Sequence, residues 1–407
     1  MSGPTRPVVA RMLRTRSHRR ADGGYAGSPR RGPDVTEPSG RGRRARRHGP
    51  TLVAVSNQGR AGTVGVLDDG GVERWPQSLA GARLHVVTGK GGTGKSTLAA
   101  SLALALAAGG GRTLLVEVEG RQGIAQLFDT PPLPYAETRI AVAPDGGEVR
   151  GLAVDAEEAL LEYLEMFYNL GLAGRTLRRM GAVEFATTLA PGLRDVLLSG
   201  KVKECVGRTV GDDRGGSRVR GSRQPLYDAV VLDAPPTGRV VKFLDVTKAM
   251  GSLARTGPIR TQSEGVVALL HSPQTVVHVV TQLEDLPVQE TLDTVDELTA
   301  ANLPPGAVVV NRVRPARLPV GGAVDDSGLR AGLEAAGLFL KDEEMDGLLS
   351  EVGEHTERLA VEAGVRSRLD AAGLPQLELP ELTDGVDLGG LYELAELLRE
   401  QGVRRGR

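Results

Sequence analysis

Gly89-Lys90-Gly91-Gly92-Thr93-Gly94-Lys95-Ser96-Thr97 decides how this 407-residue chain is read. The stretch completes the pattern G-x-x-x-x-G-K-[ST]. Before it, Arg83 to Thr88 (RLHVVT) predicts a short buried strand, and after it about Lys95 to Ala108 predicts a helix. Strand, glycine loop and helix are the context in which this pattern binds phosphate. Glycines let successive backbone N–H groups turn inward as an anion nest, and the helix N-terminus adds its positive end. Lys95 is expected to reach the β- and γ-phosphates, and the Ser96 hydroxyl to ligate Mg²⁺. Lys90, directly after the first glycine, is poorly placed to serve the phosphates of its own loop.

The helix that follows is apolar all round, as expected for one packed between a sheet and other helices. Further β-rich runs are Thr113–Val118, Ala229–Leu232, Thr275–Thr281 and Ala307–Val310. Most are continuous rather than alternating, which marks strands covered on both faces. Helical stretches at roughly 156–170, 174–206, 239–255 and 288–301 separate them. The alternation predicts an α/β fold with a doubly wound, mostly parallel sheet; the motif at 89–97 makes it a P-loop NTPase. Residues of about 150–206 read as a helical insertion above that sheet.

The carboxylates follow from the strand ends. Tyr227-Asp228-Ala-Val-Val-Leu-Asp233 is an apolar strand ending in Asp233, placed to hold Mg²⁺ beside the phosphate loop. Asp228, at its start, reads as a surface cap. Ala234-Pro235-Pro236-Thr237-Gly238-Arg239 resembles a switch that senses the γ-phosphate. The second strand ends in Glu117 and Glu119, which share a face. One of them is expected to orient the attacking water, with polar residues that merely line the crevice as the alternative. Asn311, after an apolar run, sits where a side-chain amide can read a purine edge, with an ordinary strand-end turn as the alternative.

Composition bounds the rest. A single cysteine, Cys205, excludes a disulfide framework, a cysteine-rich zinc site and an iron–sulfur cluster within one chain. A reducing, cytoplasmic setting is the expectation. Residues 1–50 hold 13 Arg against three acidic residues, a balance of +10, which leaves −11 on the remainder. Such a stretch predicts a disordered Arg-rich arm that meets nucleic acid or a membrane surface, or else a start placed too far upstream. A polar lead-in spans 51–80, the folded domain 81–401, and a basic tail 402–407. The uncharged run Ser96–Gly111 has 16 residues, short of a membrane span, and polar residues interrupt Gly265–Leu283, so no integral membrane segment is expected.

With these residues in hand, the chain resembles the ArsA-like ATPases, a family that includes arsenite-pump ATPases and the eukaryotic factor that delivers tail-anchored membrane proteins. The similarity runs from about Arg83 to Leu398. It rests on GKGGTGKST at 89–97, AVDAEEAL at 153–160, APGLRDVL at 190–197, YDAVVLDAPPTGR at 227–239, PVQETL at 287–292 and VVVNR at 308–312. The wording looks most like single-domain, actinobacterial-type members. The resemblance implies ATP as the nucleotide and a sandwich dimer in which Lys90 contacts the partner's phosphates. It also implies Asn311 on the adenine and the segment around Leu379-Pro380 beside the base. The family's water-positioning aspartate is replaced here by Glu119, and one extra methylene displaces a carboxylate enough to slow hydrolysis by ~10²-fold.

Family members that bind a metalloid use three cysteines, and the zinc-bridged targeting factors use C-x-x-C; Cys205 alone supports neither. The resulting expectation is a Mg²⁺-dependent dimeric ATPase that couples its cycle to a protein client. Its partner is a second copy or a paralogous ATPase subunit. Leu160, Leu161, Leu164, Met166, Phe167, Tyr168, Leu170, Leu172, Met180 and Leu189 are apolar enough for a client groove, with simple core as the blander reading. The C-terminal helix around Leu388–Leu398 is read as packing. A positioning ATPase acting on DNA or membrane, and a weakly hydrolysing scaffold subunit, are the alternatives.

Overall fold

The structure, a computed structural model, describes residues 73–118, 120, 122–168, 192–211, 224–245, 258–315, 326–383 and 385–406. The apolar runs form the centre of one eight-stranded sheet. Its strands in chain order are β1 (Leu84–Gly89), β2 (Arg112–Glu117), β3 (Thr138–Ala143), β4 (Gly147–Ala153), β5 (Ala229–Asp233), β6 (Thr275–Thr281), β7 (Pro305–Val313) and β8 (Gln376–Pro380). Across the sheet they run β3-β4-β2-β5-β1-β6-β7-β8, and every pair is parallel except β3 with β4. Neither β3 nor β4 is legible as an apolar run. They lie at one edge, where β3 keeps only Ala143 fully buried.

Helices cover both faces. They are α1 (Gln77–Ala80), α2 (Lys95–Ala107), α3 (Gly123–Leu127), α4 (Ala156–Tyr168), α5 (Leu193–Gly207), α6 (Thr237–Leu244), α7 (Pro258–Leu270), α8 (Asp285–Ala300), α9 (Asp326–Ala335), α10 (Asp342–Ala371) and α11 (Leu388–Glu400). Strand alternation divides the core accordingly. Ala229 and Val231 of β5 face the core shared with α2 and α11, while Val230 and Leu232 face the one shared with α5, α6 and α7. On α11, Leu391, Leu394, Ala395 and Leu398 are buried at helical spacing against α2. Each such leucine stabilises by about 1.5–3 kcal/mol. The reading of this helix as packing fits its position.

Two ends of the domain differ from the sequence-based boundaries. The lead-in ends in structure, because Trp75 is buried and its indole N–H donates to the Arg404 carbonyl at 2.9 Å. The basic tail is sewn down as well. The Arg405 guanidinium donates to the carbonyls of Leu106, Ala108 and Gly109, groups that the C-terminus of α2 leaves without helical partners. Gln401 pairs its amide with the backbone of Glu378 on the edge strand β8, with both bonds below 3 Å, which blunts that edge.

The helical insertion begins at Ala156, after β4, rather than at about 150. Residues 169–191 lie outside the described residues, as do 246–257 of the helix expected at 239–255. A polar network ties α4 and α5 to the sheet. Glu137 accepts from Arg208 at 2.5 Å and from the Tyr227 hydroxyl. Lys201 joins Glu162 and Glu204, each at 2.7 Å, and Tyr135 donates to Glu162 at 2.5 Å. Burial pushes the Tyr227 and Tyr135 hydroxyls well above their ordinary range, and the carboxylates they donate to push in the same direction. They stay protonated as donors.

At the opposite end of the strands, Trp75 stacks on His85 and His278, which are fully buried. Ala307 N–H donates to His278 Nδ1 at 3.1 Å, so His278 carries its proton on Nε2. That proton bonds His85 Nδ1 at 3.1 Å, which leaves His85 Nε2–H for the Ala82 carbonyl at 3.2 Å. The chain is satisfied only when both rings are neutral. Burial lowers His85 to about 4, and burial together with His85 lowers His278 well below its ordinary value. The unfolded imidazoles bind protons near pH 6.5, so stability is fully present above that pH and is lost as pH falls towards 4. Thermal unfolding midpoints should therefore drop below pH 6.5, and a His85→Gln, His278→Gln double variant should flatten the slope between pH 6.5 and 5.

Candidate functional site

The carboxyl ends of parallel strands share one edge of the sheet, where α/β folds bind ligands. Here β1 ends at Gly89, β5 at Asp233 and β8 at Pro380, with Asn311 late in β7. Out of β1 the chain turns through Lys90–Gly94 into α2. Gly91 and Gly92 lie exposed on the crest, while Thr93 is buried beneath it. Thr93 holds the turn by donating its hydroxyl to the Lys90 carbonyl at 2.8 Å. Lys95 folds back over the loop, its ammonium 3.3 Å from the same carbonyl. An ammonium above an inward-turned glycine loop is a seat for a phosphate chain.

Gly94 sits in the left-handed region at φ 98°, and a Cβ there would stand 2.2 Å from Asn311 Nδ2. The same amide donates to the Thr93 carbonyl at 2.7 Å, which holds it over Gly94. Asn311 is 7% exposed. The structure thus places Asn311 against the phosphate loop itself. Pro380 ends β8 in register with Val313 on β7.

Ser96 and Asp233 complete the inner corner. Ser96 Oγ donates to Asp233 Oδ2 at 2.6 Å. These are hard oxygen donors, and Asp233 is 9% exposed. Such a donor set suits Mg²⁺. Beyond Asp233, the Thr88 hydroxyl donates to the Pro235 carbonyl at 2.7 Å and Ala234 N–H to the Val87 carbonyl at 3.0 Å. The switch-like loop is therefore anchored to the strand that carries the phosphate loop. Asp228 caps the far end of β5 by accepting from Arg112 N–H at 2.8 Å.

Glu119 lies outside the described residues. Glu117 is described and buried, with Oε1 accepting from Gly123 N–H at 3.0 Å. Gln122, at φ 56°, clamps the same turn by exchanging two bonds with the backbone of Leu133. The sequence carried no signal for that clamp. Nor did it show that the Lys90 ammonium bonds Glu290 of α8 at 2.8 Å, although Glu290 lies within the quoted PVQETL stretch. Both side chains are about a third exposed, so this pair adds little, roughly 0–1 kcal/mol.

Known proteins meet the chain at this point. The family model described as anion-transporting ATPase matches residues 82–271. ATPase BagA of Mycobacterium tuberculosis is 59% identical over 337 residues, covering 81% of this chain and 96% of its own length. The chain belongs to the ArsA-type, anion-transporting ATPase family. The arsenical pump-driving ATPase of Escherichia coli is 27% identical over 250 residues, covering 56% of this chain and 39% of its own length. The counterpart in Acidiphilium multivorum is 26% identical over 249 residues and likewise covers 39% of its own length. As a member of this family the chain is an ATPase. No helix among the described residues is long and apolar enough to cross a membrane.

Gly94→Ala tests the seat directly. The methyl group meets both an unfavourable φ and the Asn311 amide, so the loop must distort. The expected result is at least a ten-fold loss of ATP affinity, read with a fluorescent ATP analogue. Strain of this kind costs about 1–3 kcal/mol, visible in denaturant unfolding.

Proposed function

We propose that this ATPase works as a Mg²⁺-dependent dimer that uses its nucleotide cycle to reshape its helical layer for a protein client. The observation that carries this reading is the continuous path from the Ser96–Asp233 pair to α5. Asp233 leads through Ala234-Pro235-Pro236 into α6, and α6 packs on α5. Arg239 of α6 lies close enough to Asp195 of α5 to act on its titration. Burial raises the Asp195 carboxyl, and Arg239 and Arg194 pull it back. A change at the γ-phosphate corner therefore has a mechanical route to the helices of the insertion.

Ser96 and Asp233 would hold the Mg²⁺, which when bound neutralises charge building on the phosphates. Lys95 holds the phosphates, and the glycine loop aligns its N–H groups on them. Glu119 remains the residue assigned to the attacking water, and Pro380 the neighbour of the base. Asn311 braces the loop from the adenine side.

Lys90 supports the dimer. Its ion pair with Glu290 is exposed enough to be worth only about 0–1 kcal/mol, so it can exchange for a phosphate on a facing subunit. That subunit is a second copy or a paralogue. In the helical layer, Ala159, Leu160, Tyr163 and Leu197 form a buried cluster, with Leu161 and Leu164 packed against it. Those positions serve as core, and Leu170, Leu172, Met180 and Leu189 of the expected client groove lie outside the described residues. Nothing in this reading needs a metalloid. The single Cys205 is buried, and that burial, aided by Glu204, pushes its thiol up to about 12, which starves a soft metal of thiolate. A cytoplasmic setting fits that reduced thiol.

Steady-state phosphate release decides the core of the proposal. Lys95→Ala should lose at least 90% of wild-type turnover, while arsenite should leave wild-type turnover unchanged. Equal release from wild type and Lys95→Ala would leave a nucleotide-binding scaffold. Solution mass with ATP, by light scattering, should double for wild type or for wild type mixed with its paralogue. Lys90→Ala should stay monomeric at the same concentration.

A further inference from the structure

We propose that Glu117 is a positioning residue of the cation site, its carboxylate holding the water shell of a divalent ion seated on Ser96 and Asp233. The inference rests on the Mg²⁺ reading of that corner and deepens it. Glu117 is the last residue of β2 and lies in direct register with Asp233, the last residue of β5, on the adjacent parallel strand. Neighbouring strands are about 4.8 Å apart, and residues in register point to the same face of a sheet. Both carboxylates therefore leave the sheet side by side. Both are buried, Glu117 at 3% exposure and Asp233 at 9%.

The turn after β2 brings the third corner. Gly123 N–H donates to Glu117 Oε1, and the open side of Gly123 faces a point 3.9 Å from that oxygen and 3.8 Å from Ser96 Oγ. Glu117 and the Ser96 hydroxyl thus flank one small volume, with Asp233 bonded to the same hydroxyl at 2.6 Å. Mg²⁺ dehydrates reluctantly, keeps several waters and takes only one or two carboxylates directly. A second carboxylate one strand away is placed to accept from those waters rather than to replace them. Gly123 N–H fixes its orientation, as outer-shell bonds do for metal-site carboxylates.

A purely structural role is the competing explanation, since Glu117 also accepts from the first N–H of α3. Glu117→Gln separates the two. The amide retains an oxygen for Gly123 N–H, so the turn survives while the charge is lost. Binding of a fluorescent ATP analogue is to be measured in EDTA and then titrated with Mg²⁺. Glu117→Gln should match wild type within two-fold in EDTA and require 10–100-fold more Mg²⁺ for half of the Mg²⁺-dependent enhancement, the usual size of an outer-shell loss. Glu117→Asp, which keeps the charge, should fall between the two and carries the test if the amide variant unfolds. Asp233→Asn is the control for the seat itself. A shifted Mg²⁺ midpoint in Asp233→Asn with a wild-type midpoint in Glu117→Gln overturns the assignment of Glu117. Wild-type midpoints in both variants overturn the cation seat and the assignment with it.

Discussion

The pairing of β1 between β5 and β6 is the constraint on which the rest of the molecule depends. Six consecutive residues of β1 are buried, and its register sets Val87 beside Asp233 and Gly89 beside Val280. That register fixes where the chain must turn. A Cβ at Gly89 would stand 2.4 Å from the Val280 carbonyl, so the turn can start only on a residue without one. From there, loop, ammonium and hydroxyl are all placed by a backbone that has no freedom to slide. A slip of one residue would exchange the two faces of the strand and move Ser96 away from Asp233.

The centre of this arrangement was legible because parallel strands buried on both faces must be written in apolar residues. All five apolar runs became neighbours in the sheet. The edges are different. β3 is exposed or half-buried at every position but Ala143 and is joined to β4 by a turn through Asp145 at φ 56°, so neither strand announces itself by hydrophobicity. α10 is 30 residues long yet buries only Met345, Leu359, Val365 and Leu369, too sparse a pattern to read as a packed face. Within the site, the glycine loop, Ser96 and Asp233 could be read locally, since each is defined by its neighbours in sequence. Glu290 on Lys90 and Asn311 on Gly94 could not. They are contacts across 200 and more residues, and no spacing rule encodes them.

Charge is distributed by the same logic. Where side chains are about a third exposed, as for Lys90 with Glu290, ion pairs are cheap to make and to break. Where they are enclosed, as around Glu137, every member has a named partner, because a buried charge left without one costs several kcal/mol. The first kind yields readily to a competing partner. The second fixes α5 to the sheet. One fold thus holds both a releasable and a rigid electrostatic contact.

The stitching of Trp75 to Arg404 also has a mechanical meaning. Gly406 N–H bonds the Ala80 carbonyl, so the two ends of the domain meet beside α1 and the C-terminus of α2. A tension applied between those ends would load this clasp first, a few hydrogen bonds and one stacked indole. The strand that carries the phosphate loop would feel that load through His85, on which the indole stacks.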